Sequence, residues 1–229
     1  CWSRQRKRPL TAHCSKMFVI ACSPTRRKPG LRAGAWLMLG VCLLAGCAVT
    51  RQGLQLPDMS TWEARSAVLS NVRDWEFVGR IAVKAGNEGF NGKFNWAQQD
   101  DAFDATVGGP LGIGTVRIEG DGRSVLLTDK DGARTWLQDV ESELYYRYGW
   151  TIPVASLRYW ALGIPDPSAA AETELDEQGR LLRLRQRDWV VEISRYREGG
   201  GQQMPRILSA TNAETRVRMV IDQWLFFDR

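Results

Sequence analysis

The 183 residues that follow residue 46 of this 229-residue chain lack histidine and hold a single cysteine, Cys47. The chain's one histidine, His13, and its other four cysteines lie upstream. Ser-His and Cys-His nucleophilic pairs, imidazole bases and His/Cys zinc sites are therefore excluded from this part of the chain. A glycosidase-type carboxylate pair stays open, since sequence does not reveal which carboxylates meet in space. We expect no enzyme activity, no metal site and no cofactor.

Acidic residues are absent from the first 46 residues, which contain nine of the 31 lysines and arginines. The rest of the chain has 22 basic and 26 acidic residues, a formal net charge of −4. The sequence pI of about 9.1 belongs to the whole chain with its basic N-terminal segment, and does not indicate nucleic-acid binding by the rest. We expect the arginines scattered over the strands to form a solvated face; they include Arg183, Arg185, Arg216 and Arg218.

A lipoprotein-type cleavage signal ends the N-terminal segment. The sequence Leu44-Ala45-Gly46-Cys47 follows a basic stretch and an apolar run over 33–44. That run is shorter than the roughly 20 residues needed to span a bilayer. We predict a signal peptide over 1–46 and lipidation of Cys47; an ordinary signal peptide or short transmembrane helix is the alternative. The basic stretch before Met17 lacks structural periodicity, so we expect an over-extended start.

Residues 47–58 show no sustained apolar pattern, which predicts a lipidated N-terminus with a flexible tether. A single domain is expected over 59–229, because this length supports one sizeable core. Capping and apolar spacing predict helices over about 60–73, 139–148 and 153–162. Alternating apolar residues between Gly, Asn and Asp turns predict many short antiparallel strands. The predicted fold class is α+β, a curved antiparallel sheet with helices on one face.

The segment Gly108-Gly109-Pro110-Leu111-Gly112-Ile113-Gly114 is rich in glycine but is not a phosphate loop, because no Gly-Lys-Ser/Thr sequence or helix follows it. It predicts a tight turn between two strands that carries an isolated leucine. Leu111 either folds back into the core or projects into water. Projection leaves a burial energy of about 1.5–3 kcal/mol unrealised, which suits a surface that meets a membrane or another protein.

Eight tryptophans follow residue 46. They fill the core of a thin domain, or they line an apolar cavity within a curved sheet. Composition favours an ordinary core, and both interpretations stay open.

In combination these features resemble the LolB family of outer-membrane lipoprotein receptors over nearly all of the chain after residue 46. No single motif is decisive, and the resemblance depends on their order and spacing. The motifs are the lipidation signal at Cys47, Phe94-Asn95-Trp96, the Gly109-Pro110-Leu111-Gly112 turn, Leu126-Leu127-Thr128-Asp129-Lys130-Asp131-Gly132, Ile152-Pro153-Val154, Trp160-Ala161-Leu162-Gly163-Ile164-Pro165, Trp189-Val190-Val191, Met204-Pro205 and a last strand reaching Trp224.

The resemblance implies an incomplete, unclosed β-barrel whose three or so helices cover an apolar cavity. Such a protein accepts acylated lipoproteins from the periplasmic carrier LolA and inserts them into the outer-membrane bilayer. It implies a monomer anchored through Cys47 to the outer membrane, facing the periplasm. An acidic residue directly after the cysteine tends to retain such lipoproteins at the inner membrane, and Ala48 is not acidic. It also implies a membrane-insertion loop of Gly109, Pro110, Leu111 and Gly112, and cavity aromatics Phe94, Trp96, Trp160, Trp189 and Trp224.

Two other functions remain open from the residues themselves. The first is a structural or assembly lipoprotein that binds protein partners and holds no lipid, which predicts solidly packed tryptophans. The second is a lipoprotein that binds phospholipid or glycolipid, which predicts a cavity that ignores acylated proteins.

Overall fold

The computed structural model describes residues 53–109, 114–121 and 124–228. The unit from Arg51 to Arg229 is compact, and its described residues bury a contiguous apolar core. They form three helices, α1 (Trp62–Asn71), α2 (Val140–Tyr148) and α3 (Val154–Leu162). The strands are β1 (Asp74–Ala85), β2 (Glu88–Gln99), β3 (Ala102–Gly108), β4 (Val116–Gly120), β5 (Val125–Thr128), β6 (Arg134–Leu137), β7 (Ala171–Leu175), β8 (Leu181–Gln186), β9 (Trp189–Gly199), β10 (Gln202–Thr211) and β11 (Thr215–Phe226).

All eleven strands belong to one antiparallel sheet in the order β6-β5-β4-β3-β2-β1-β11-β10-β9-β8-β7. The first and last strands of this order, β6 and β7, are the two edges, so the sheet is open. The three helices contribute Leu69, Leu144 and Leu157 to the same core as the inner face of the sheet. The prediction of an α+β fold with an open, curved antiparallel sheet and three helices is confirmed.

Alternation along the central strands separates the two faces of the sheet. In β1, Trp75, Phe77, Gly79, Ile81 and Val83 are buried, and the residues that alternate with them point to the outer face. Phe77 lies opposite Trp96 of β2 on one side and opposite a β11 tryptophan on the other. Pairing of the first strand with the last therefore brings distant aromatic side chains onto one inner surface.

The helix ends follow the predicted capping chemistry. The Thr61 side chain accepts a hydrogen bond from the N–H of Ala64 at the start of α1. The Asp139 carboxylate caps α2 in the same way, and its pKa lies below its ordinary value because the Ser142 hydroxyl donates to it. Gly163 ends α3 with a φ of 81°, a left-handed conformation that glycine adopts without a steric penalty. Helices predicted at 139–148 and 153–162 are therefore found within one or two residues.

One feature differs from the sequence prediction. The described part of the predicted tether packs on the sheet: the N–H of Leu54 donates to the carbonyl of Phe226 (2.7 Å), and that of Leu56 to Gly200 (2.8 Å). Leu56 and Met59 are buried. Irregular backbone hides this burial from a periodicity search, and the folded body includes residues 54–58.

Candidate functional site

Aromatic side chains form a continuous layer on the inner face of four neighbouring strands, β3, β2, β1 and β11. Trp75 stacks with Trp96 at a centroid distance of 6.3 Å, and Trp96 stacks with Phe103 at 4.8 Å. We call this layer the aromatic stack; its members are Trp75, Phe77, Phe94, Trp96, Phe103, Trp224 and Phe226. All except the half-buried Phe103 are buried. The stack makes the sheet's inner face apolar across its centre.

A second aromatic pair fixes α3 to the sheet. Trp160 of α3 and Trp189 of β9 lie 5.9 Å apart between ring centroids, and Trp160 is fully buried. The Trp160 indole N–H donates to Gln186 Oε1 (2.9 Å), and the Gln186 amide donates to the carbonyls of Asp166 and Ala169. Because each buried polar group here has a partner, the network holds α3 in one position.

Asp166 completes this network at the end of α3. Its carboxylate accepts hydrogen bonds from the Ser156 hydroxyl (2.7 Å) and the Ser168 N–H (2.9 Å). Burial by itself raises the Asp166 pKa, but these hydrogen bonds and the nearby Arg187 guanidinium outweigh it and hold the pKa below its ordinary value. Asp166 is therefore ionised at neutral pH and serves as a structural anchor.

A groove of about 720 Å³ separates α2 and α3 from the inner face of β2–β5. Trp96 and Phe103 lie in its wall, so the aromatic stack continues directly into it. We call it the Trp96 groove; its apolar lining also includes Val125, Val140, Val154, Ala155, Tyr159 and Pro167. The apolar part of the groove thus lies between the aromatic stack and the two helices.

The rim of the Trp96 groove is acidic. The pKa of Glu141 is raised because burial disfavours its charge and because Asp139 and Asp166 lie near, while Arg187 and the Ala155 N–H oppose the shift. The charged residues lining the groove are Asp101, Asp121, Asp139, Glu141, Asp166 and Arg158. Asp166 is buried beside Arg187, and Asp101 lies 3.8 Å from Arg158. The remaining carboxylates give the rim a net negative charge that favours a basic partner.

Gly120 shapes the groove by leaving room for Phe103. A Cβ at Gly120 would lie 2.3 Å from the Phe103 ring, which sits opposite it across β3 and β4. We expect Gly120→Ala to displace the ring from Trp96 and to lower the free energy of unfolding by about 1–3 kcal/mol, as overpacking does. Urea unfolding measures this loss. The free energy of unfolding lost in the Gly120→Ala/Phe103→Leu double variant should be smaller than the sum of the losses in the two single variants. A loss equal to that sum would contradict the contact.

A second groove, of about 540 Å³, lies where the N-terminal segment crosses α1 and the chain's last residues. Leu54, Leu56 and Pro57 form one wall, and Val68 and Val72 of α1 another. This groove is separate from the aromatic stack.

The structure distributes the predicted site residues among three places. Trp96 lines the groove, Phe94 and Trp224 pack beside it in the aromatic stack, and Trp160 and Trp189 lie in the core under α3. Gly109 follows β3 and is half-buried. The remaining predicted residues lie outside the described residues; they are Cys47, Pro110, Leu111 and Gly112.

Sequence reasoning missed several lining residues. Phe103, Tyr159 and the valines of β5, α2 and α3 line the groove, as does the acidic rim. Inward alternation identifies Phe103 and Val125 as inner-face residues. Only the sheet order and the helix positions show that these residues share one groove.

Among the described residues, no group of three or more His, Cys, Asp or Glu side chains is arranged to hold a metal ion. None of the described helices is both long and apolar enough to cross a bilayer.

The fold defines a class of proteins in which an open antiparallel sheet carries an aromatic inner face covered by helices. The family model "Outer membrane lipoprotein LolB" matches residues 73–224. The outer-membrane lipoprotein LolB of Nitrosococcus oceani is 34% identical over 190 residues, covering 82% of this chain and 94% of the relative. Those of Pseudomonas putida and Pseudomonas paraeruginosa are 32% and 30% identical over 187 residues, each covering 80% of this chain and 91% of the relative. The chain belongs to the LolB family.

Two solved structures are also similar. A LolA superfamily protein from Nitrosomonas europaea has a TM-score of 0.49 at 7% identity, covering 75% of this chain and 96% of that one. A DUF1329 family protein from Desulfovibrio piger has a TM-score of 0.46 at 6% identity, covering 72% and 90%.

As a LolB-family member the chain is an outer-membrane lipoprotein that acts in lipoprotein localisation, and it is not an enzyme.

Proposed function

We propose that this chain receives acylated lipoproteins from the periplasmic carrier LolA and inserts them into the outer membrane. It does so as a monomer, anchored through Cys47 and facing the periplasm. The observation that carries the proposal is the Trp96 groove, which has an apolar wall continuous with the aromatic stack, a polar rim, and two helices over it. Family membership supports the same role.

The energetics of acyl chains support a receptor with an apolar site. Each buried methylene is worth about 0.8 kcal/mol, so a lipoprotein carrying several chains does not cross water at a useful rate. If the receptor's groove attracts the acyl chains as strongly as the carrier does, the chains pass from carrier to receptor with little change in free energy. No nucleotide is needed at this step.

The volume of the groove supports a mobile cover. About 720 Å³ falls within the roughly 300–1,000 Å³ that holds one small ligand. Several acyl chains therefore require the groove to widen. Helix α3 buries six residues and is held by the Trp160–Gln186 network. In α2, Leu144 is the buried one among the side chains that the structure describes, and Tyr145 and Tyr146 face water. With fewer buried contacts, α2 is the element that moves.

The acidic rim supports docking of the carrier at the mouth of the groove. A basic rim on LolA would complement the carboxylates of Asp101, Asp121 and Asp139 and would steer the encounter. Cargo would then pass from one apolar site to the next without exposure to water.

Transfer from loaded carrier to the Arg51–Arg229 unit tests the proposal. Val125 is a half-buried groove residue of β5. A carboxylate in its place would keep nearby acyl methylenes out; losing two of them, at about 0.8 kcal/mol each, weakens uptake roughly 15-fold. We therefore expect Val125→Glu to take up acylated lipoprotein at least tenfold less well.

Val78→Glu is the matched control, because Val78 is 47% exposed on the outer face of β1. It should take up lipoprotein normally. The proposal is refuted if the folded, unsubstituted unit accepts no lipoprotein. Equal uptake by both variants would show that the acyl chains bind outside the Trp96 groove.

A structural or assembly lipoprotein is the second candidate function. It is favoured by one observation: Phe94, Trp160, Trp189 and Trp224 are packed in the core. It predicts no uptake of acylated lipoprotein at all. Uptake of free phospholipid without uptake of acylated protein would instead support a receptor for simple lipids.

A further inference from the structure

Four exposed basic residues lie together on the outer face of the sheet, away from the helices. Lys84 of β1 lies directly opposite Arg216 of β11, and the next outward position pairs Ala82 with Arg218. On the other side of β1, Arg80 lies opposite Lys93 of β2. We call Lys84, Lys93, Arg216 and Arg218 the basic patch. Like charges directly opposite each other on a sheet are destabilising, so this arrangement opposes folding.

The charges of the basic patch are not neutralised within the described part of the chain. None of its four residues forms an ion pair there, and the neighbouring Asp222 is engaged by Arg80 (3.0 Å). The arginines farther along the same face are different: Arg183 pairs with Glu192 (2.5 Å), and Arg185 with Glu172 (3.7 Å). The sequence predicted one solvated face, but the structure divides it into an ion-paired half and an unpaired half.

The patch has a defined position relative to the ends of the sheet. Lys84 and Arg216 lie beside the β1–β2 and β10–β11 turns, and Lys93 lies opposite Gly108, the last residue of β3. The connection from β3 to β4 therefore leaves the sheet next to the patch. The acidic rim of the Trp96 groove lies on the inner side of the sheet, so opposite charges occupy opposite faces.

We infer that the basic patch docks this chain on the phosphate groups of an anionic lipid bilayer. Lipid phosphates would neutralise the positive charges that no ion pair neutralises within the described residues. Unpaired lysines and arginines are attracted to an anionic membrane surface. Docking on the outer face leaves the groove and its acidic rim free for a basic carrier. The inference rests on the proposed function only in that the chain delivers its cargo to a bilayer.

The test measures binding of the Arg51–Arg229 unit, which lacks the lipid anchor, to vesicles of phosphatidylcholine with and without phosphatidylglycerol. Each basic residue near an anionic surface contributes about fivefold in binding. We expect Arg216→Gln/Arg218→Gln to bind phosphatidylglycerol vesicles about 25-fold more weakly. The difference should shrink as salt is raised beyond physiological strength, because the Debye length shortens.

Arg183→Gln/Arg185→Gln is the matched control, since it removes the same charge from ion-paired positions on the same face. It should bind like the unsubstituted unit. Equal losses in both variants would show a net-charge effect and overturn the inference, as would unchanged binding of Arg216→Gln/Arg218→Gln. Lys84→Gln/Lys93→Gln removes the other half of the patch from different strands and should lose binding to a similar degree.

Two further measurements distinguish a failure of this inference from a failure of the proposed function. The urea midpoint of Arg216→Gln/Arg218→Gln should not fall, because a like-charge pair is relieved. Uptake of lipoprotein from LolA by this variant should be normal. A unit that binds anionic vesicles through the patch but accepts no lipoprotein would refute the receptor and leave the docking surface standing; the reverse result would refute only the docking surface.

Discussion

Replacing Trp160 with alanine is expected to lower the free energy of unfolding by about 3–5 kcal/mol, the range for removing a large buried side chain. Trp160 is fully buried, packs against the tilted Trp189 ring and donates its indole N–H to Gln186. The substitution leaves a cavity beneath α3 and removes one of the hydrogen bonds that hold this helix. Urea unfolding of the Arg51–Arg229 unit should show a lower midpoint at an unchanged m-value.

Trp136→Ala is the matched control, because Trp136 is 67% exposed on the edge strand β6. Its effect should stay within about 0.5 kcal/mol, as for most surface substitutions. If Trp160→Ala has an unchanged midpoint but takes up no lipoprotein, Trp160 acts in the cavity wall, as the family resemblance implies. A large loss of stability instead identifies it as part of the frame that fixes α3.

Much of the fold follows from local chemistry that a sequence displays. Pro153 and Gly163 mark the two ends of α3, and Asp139 marks the start of α2. Alternation in β1 and β2 assigns each side chain to a face, since the strand period is two. These signals depend only on neighbouring residues.

Other features depend on contacts between distant residues. Trp75 lies opposite Phe226 because the first strand pairs with the last, about 150 residues later, and nothing local to either strand specifies that pairing. Leu54 and Leu56 are held by hydrogen bonds to Phe226 and Gly200 in a segment without regular structure. Periodicity does not detect either arrangement.

The candidate site, like the fold, could be predicted from the sequence only in part. The family resemblance gave five aromatic residues as candidates for the cavity wall, and Trp96 is the one that lines the groove. Gln98, which reads as a polar interruption in β2, is buried and accepts the Trp96 indole N–H at 3.0 Å. Whether an inward aromatic contacts ligand or core depends on what covers it. The helices decide this, and the Trp160–Gln186 network holds one of them, α3, in place.

Replacing Leu111 with glutamate is expected to abolish delivery of lipoprotein to liposomes while leaving uptake from LolA intact. We propose that Leu111 enters the bilayer during delivery. Leucine gains about 1.5–3 kcal/mol on burial, and a charged side chain in the hydrocarbon core costs about 2.5–3.5 kcal/mol. Together these amount to roughly a thousandfold or more in the insertion equilibrium. The readout is lipoprotein that co-sediments with liposomes after loading of the Arg51–Arg229 unit.

Strands β2 and β3 approach closely where the β3–β4 connection leaves the sheet. A Cβ at Gly92 would lie 2.3 Å from the Gly108 carbonyl oxygen. Leu182→Glu is the matched control, because Leu182 is 46% exposed on β8. It should deliver normally; if it fails together with Leu111→Glu, added charge and not membrane insertion explains the loss, and if both deliver, cargo leaves the groove without Leu111.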